Sequence, residues 1–132
     1  MNYREIKDET DLYSIIIHTS DAPAGTKWYG DESEPMQVCT WLWGKEKFFR
    51  AHTHLFRPRT IAQTQEALYV ISGRIRCTVV MAGSIEGHTL KAGDLVIHYR
   101  GGHGYKVIED NTKAIEFKIG PAVQPEKDKE YL

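Results

Sequence analysis

Cysteine is scarce in this 132-residue chain: only Cys39 and Cys77 occur, with no C-x-x-C pair. That excludes a disulfide framework and a cysteine zinc knuckle, and two reduced core thiols are expected. An excess of one charge is also lacking, since 17 Lys and Arg face 18 Asp and Glu for a formal net charge of −1. Nothing basic points to nucleic acid. No stretch approaches the roughly 18 consecutive apolar residues of a membrane-crossing helix. The opening MNYREIKDETDLYSIII carries acidic residues where a secretory leader needs a basic segment and an apolar run. A soluble, cytoplasmic chain is expected, with neither membrane nor nucleic acid among its partners. Helical i, i+3, i+4, i+7 stripes never persist for the roughly 11 residues that mark a helix, so helix is predicted to be scarce.

What is present suits one globular domain: an apolar fraction of 41% at this length buries enough surface to fold without staples or a structural metal. Any metal held is therefore expected to be functional. Short β-branched and aromatic runs predict strands near 12–18, 36–43, 48–56, 65–72, 74–81, 86–90, 94–99, 103–109 and 113–119. Ser72-Gly73, Ala92-Gly93-Asp94 and Asp110-Asn111 punctuate them with residues that tolerate positive φ. Many short strands with such turns predict an all-β sandwich or barrel. The last segment, QPEKDKEYL over 124–132, loses apolar periodicity and reads as a solvated tail whose Tyr131 and Leu132 are available to dock on a neighbour.

Side chains alternate along a strand, so His52 and His54 of FFRAHTHLF share a face with Arg50 and Phe56, the two imidazoles about 7 Å apart. Glu66 opens the next strand on one face with Leu68 and Val70, the face expected to look inward, and the turn RGGHGY delivers His103 in phase with Tyr105 and Val107. Three His and one Glu are donors for a borderline divalent metal: Fe, Mn, Ni, Co, Cu or Zn. His98 falls opposite Leu95, Ile97 and Tyr99 and reads as structural or surface; His18 and His88 have no informative context.

These residues resemble the cupin superfamily, whose first motif is G-x5-H-x-H-x3,4-E-x6-G and whose second is G-x5-P-x-G-x2-H-x3-N. The match runs over His52-Thr53-His54, Glu66 with Gly73 seven residues on, and Gly93 through Gly101 to His103. The resemblance spans 44–120 and implies one cupin domain over 1–132: a jelly-roll β-barrel with an N-terminal strand extension over 1–35 and a tail over 121–132. It implies His52, His54, Glu66 and His103 as metal ligands. Eleven residues separate His54 from Glu66 where the family has three or four, which implies a longer hairpin forming a lid at the barrel mouth. In the second motif Tyr99 replaces Pro, His103 comes one residue early and Val107 stands at the Asn position. H-x-H, Gln65-Glu66, GGHGY and Glu116-x-Lys118-x-Gly120-Pro121 together look similar to a group of small cupins, some encoded beside polysaccharide and nucleotide-sugar genes.

Arg57 and Arg59 flank Pro58 in that lid and are suited to gripping phosphate or carboxylate of a small-molecule ligand; a loop tip or a dimer contact is the competing reading. Arg50 shares the His face and is a further substrate-binding candidate. Glu116 and Lys118 alternate with Ile115, Phe117 and Ile119; a solvated outer face is expected for them, the alternative being that they line the barrel and pair with one another or with substrate. Trp41, Trp43 and Tyr69 read as core or interface packing, in keeping with the homodimer that the resemblance implies. Two function classes follow. One is a metal-dependent enzyme of isomerase, epimerase or dioxygenase type acting on a small polar or anionic molecule such as a sugar derivative, with Tyr105 or Tyr99 as acid or base. The other is a non-catalytic cupin binding a small molecule, a carbohydrate or a metal, down to a vestigial site.

Overall fold

A computed structural model describes residues 2–132. Its described residues are all-β apart from a 3-10 turn over Thr19–Asp21 and one turn of α-helix, α1 (Pro125–Asp128), and no helix among them is long and apolar enough to cross a membrane. The strands are β1 (Tyr3–Lys7), β2 (Leu12–His18), β3 (Gly25–Tyr29), β4 (Val38–Leu42), β5 (Glu66–Ser72), β6 (Arg74–Val80), β7 (Ile85–Lys91), β8 (Asp94–His98), β9 (Gly102–Val107) and β10 (Lys113–Lys118). They form three antiparallel sheets, β1-β2-β8-β5-β10, β7-β6-β9 and β3-β4, none closed on itself. Seven of the expected strands lie within a residue or two of their predicted bounds, and the 36–43 run shortens to β4. β1 and β3 escape prediction because their exposed faces carry Arg4, Lys27 and Trp28 and only Ile6 and Tyr29 are buried.

The strand expected over 48–56 is absent. Residues 43–65 hold no strand, and Leu55 and Phe56 are 89% and 95% exposed. Alternation alone does not make a strand; each backbone N–H and C=O needs a neighbouring edge, and this segment has none.

The five- and three-stranded sheets face each other across one core, with Ile16, Leu68, Val70 and Val96 on one side and Ile75, Cys77, Val79 and Leu90 on the other. A second core covers the outer face of the large sheet, where Ile15, Ile17, Ala67, Ile97 and Tyr99 pack with Tyr29. Burial on both faces explains the unbroken apolar run of β2. Of the two cysteines, Cys77 is fully buried and Cys39 only partly so; both are free.

Two glycines are required by the fold. Gly73, at φ +85°, turns β5 into β6, where a side chain would lie 2.7 Å from the Thr112 Cα. Gly101, at φ +76°, lets the chain enter β9 with its α-carbon against Tyr13, where a Cβ would come within 2.5 Å of the ring. The second of these sets the position of His103.

Candidate functional site

A cavity of about 1160 Å³ opens between the two larger sheets toward their β9 and β10 edges. Register builds its floor. On the large sheet Lys118 pairs with Glu66, Glu66 with His98 and His98 with Ser14, a polar row crossing β10, β5, β8 and β2. On the facing sheet His103 pairs with Val79 and Tyr105 with Cys77.

His98 is 3% exposed and bonded at both nitrogens, to Ser14 Oγ at 2.8 Å and to the Tyr105 hydroxyl at 2.9 Å. Its ring lies flat on His103, with centroids 4.1 Å apart and planes 3° from parallel. Burial first, then the charge of His103, pushes its pKa down to about 3. At neutral pH it is therefore an uncharged imidazole. Burial also raises the Tyr105 phenol, so Tyr105 keeps its proton and donates it to Nε2, leaving Nδ1–H to donate to Ser14.

Glu66 is held as a carboxylate. Its hydrogen bond from His103 Nε2 is the main cause of a pKa pushed down to about 2, assisted by Glu116 and by Lys118 Nζ at 3.6 Å. Glu116 moves the other way, raised by burial and by the negative charge of Glu66. The environment thus pushes the titrations of two adjacent carboxyls apart.

The structure brings together Glu66, His103 and Tyr105, and separately His52 and His54. The two groups do not meet. The arm, residues 43–65, starts with Phe49 stacked on Trp41 at 4.3 Å and Lys47 over the Trp43 ring at 3.9 Å, and ends with Thr64 donating to Asp128 at 2.5 Å. Between these anchors residues 50–62 stand off the cavity. The His52 and His54 rings lie 5.2 Å apart, and His52 Nδ1 donates to the Arg50 carbonyl at 2.9 Å, leaving its Nε2 free. Each half has suitable donors, yet among the described residues no three His, Cys, Asp or Glu are grouped to hold a metal ion. Within one chain the four expected ligands do not fit a common ion.

Other expectations are corrected. Arg50, Arg57 and Arg59 are exposed on the arm and do not line the cavity, because the strand that was to aim Arg50 inward does not form and the loop expected to set Arg57 and Arg59 as a lid at its mouth stands off it. Tyr99 lies on the outer face of the large sheet, 1% exposed in the second core with its hydroxyl against Gly30, too far round to act in the cavity. Glu116 and Lys118 face inward, and it is Ile115 and Phe117 that face out, 45% and 50% exposed. The apolar half of KAIEFKI pointed to the wrong face because the outer side of this sheet is itself an apolar packing surface. His98 is the other residue missed; only its pairing with Glu66, invisible in the sequence, marks it. The tail runs past the cavity mouth, with Leu132 against Gly102, and stays largely in solvent as expected, Tyr131 and Leu132 each 88% exposed.

No family model, curated protein or solved structure matches this chain.

Proposed function

We propose that this chain is a small cupin of jelly-roll type whose cavity binds a small polar or anionic molecule, a sugar derivative being the class the cupin resemblance suggests, and catalyses its isomerisation or epimerisation by proton transfer. The observation that carries the reading is the cluster of Glu66, His103, Tyr105, Glu116 and Lys118 gathered in one open cavity. Lys118 supplies a cation for a carboxylate or phosphate of the ligand. Glu66, anionic and steadied by His103, is placed to accept a proton, while Glu116, with its raised pKa, is placed to give one. Tyr105, its proton held by His98 Nε2, offers its oxygen as an acceptor for a ligand hydroxyl. None of these steps passes through a metal.

The second reading is a binding module without turnover. It is favoured by the closure of the network, since Glu66 is engaged by His103 and Lys118 together.

A thermal-shift screen of sugar acids and sugar phosphates tests the cavity assignment. A stabilising ligand is expected to lose its effect in Lys118→Met and in Glu66→Gln. A shift that survives both substitutions, or no shift across the panel, rejects it. Solvent deuterium incorporation into the bound compound, followed by NMR, separates the two readings: label enters only if protons are transferred.

A further inference from the structure

The total charge of −1 is unevenly spread. Over residues 41–64 Lys45, Lys47, Arg50, Arg57 and Arg59 face only Glu46, a net of +4 that leaves −5 on the rest of the chain. Every residue of that stretch is exposed. Its apolar side chains are out in water with the cations: Trp41, Leu42, Trp43, Phe48, Leu55 and Phe56 all stand in solvent, the last two almost wholly. A large apolar surface threaded with basic residues marks an interaction site.

The arm is tethered at both ends and bare in the middle. Trp41 is out of phase with Val38, which packs into the second core, so the stack of Phe49 on Trp41 lies on the far side of β4. Thr64 donates to Asp128 at the other end. Leu55, Phe56 and Arg57 fall at the midpoint of the fourteen residues between these anchors, 50–63. Seven extended residues reach about 23 Å, whereas the headgroup layer of a bilayer is only about 5–8 Å deep on each side. The tip can therefore cross that layer while the body stays in water. Pro58, between the two arginines, has no N–H to leave unpaired there.

Chemistry selects the partner. A nucleobase or a sugar ring needs free aromatic faces, yet Trp41 has one face covered by Phe49, 4.3 Å away and 4° from parallel, and Trp43 has Lys47 Nζ over its ring at 3.9 Å. Leu55, at the tip, offers no ring at all. Aliphatic and aromatic side chains outermost, tryptophans behind them and cations between are instead the order of groups that a phospholipid surface meets: acyl chain, interface, phosphate.

We propose that residues 41–64 dock this protein on an anionic phospholipid surface. Leu55 and Phe56 enter the acyl boundary, Trp41 and Trp43 sit at headgroup level, and Arg50, Arg57 and Arg59 engage the anionic headgroups. The −5 on the body is repelled by the same surface, so the molecule approaches arm first. The cavity takes no part in this docking, which stands or falls apart from the chemistry proposed for it.

Co-sedimentation with vesicles tests it, using phosphatidylcholine alone and phosphatidylcholine with one third phosphatidylserine. Wild type is expected to sediment with the mixed vesicles, with a blue shift of its tryptophan emission, and to stay in solution with phosphatidylcholine alone. Added salt is expected to weaken the binding. Arg57→Gln with Arg59→Gln is expected to weaken it about 25-fold, at about fivefold per cation. Leu55→Ser with Phe56→Ser is expected to weaken it on the order of 100-fold. All four side chains are exposed, so an unchanged urea midpoint is expected to show that both variants fold. Wild type that binds neither vesicle, binds both equally, or binds as tightly after Leu55→Ser with Phe56→Ser overturns the proposal. So does a lipid-free wild type whose dimer dissociates on that double substitution, since a second copy then covers the patch. Retention on single-stranded polyuridylate in place of vesicles overturns it in favour of nucleic acid.

Discussion

β5 and the arm that precedes it are neighbours in sequence and opposites in structure. Both alternate and both contain good strand formers. β5 pairs with β8 and β10 and buries Ala67, Leu68 and Val70, whereas the arm pairs with nothing and leaves Leu55 and Phe56 in water. The difference lies in partners, not in propensity. β5 also carries Glu66 into a cavity where its charge is answered, while His52 and His54 keep only each other and the backbone. A strand becomes a site when the sheet around it supplies the second shell.

The largest expected break of that contrast is in stability. Ile16→Ala, opposite Val96 in the inter-sheet core, is expected to cost about 2–5 kcal/mol in urea unfolding. A loss below about 1 kcal/mol would show that the two sheets are less tightly packed than described.

A second test is pH. The folded pKa of His98 lies near 3, below its ordinary 6.5, so folding excludes a proton that the unfolded chain takes up. The stabilisation is complete above pH 6.5 and is lost progressively toward pH 3. Glu66, depressed from 4.5 to about 2, adds loss in the same direction below pH 4.5. For His98 alone, unfolding free energy of metal-free protein is expected to fall by about 2 kcal/mol between pH 6.5 and 5, and His98→Gln to flatten that slope. A pH-independent midpoint over this range contradicts a buried neutral imidazole.

Smaller still, Tyr105→Phe removes the donor to His98 Nε2 and is expected to destabilise by about 1–2 kcal/mol. Its near-ultraviolet circular dichroism should otherwise match wild type. The smallest effect is reserved for the arm: Thr60→Ala, fully in solvent, is expected to stay within about 0.5 kcal/mol. A larger loss would show that the arm is packed and not solvated.

Much of the body was legible. Ser72-Gly73 and Asp110-Asn111 turn where expected, and Glu66, Leu68 and Val70 share the inward face. The candidate site was legible only in part, because Glu66, His103 and Tyr105 sit on strands whose phase the flanking apolar residues reveal. Lys118 and Glu116 were not, since either face of β10 satisfies its pattern and the choice depends on what covers the outside of the sheet. His98 read as structural or surface, and the structure decides for the first: its environment is made by Ser14, Tyr105 and His103, from two other strands.

The amino-acid order by itself determined an all-β chain of short strands, the absence of disulfides and of long apolar helices, and the turns, because these follow from local conformational preference and from alternation at period two. The tertiary structure decided which strands found edges, which face of β10 looks inward, that the titrations of Glu66 and Glu116 are pushed apart, and that His52 and His54 stand apart from the cavity. Those outcomes depend on pairings between residues tens of positions apart, where register and burial, and not local sequence, set the energies.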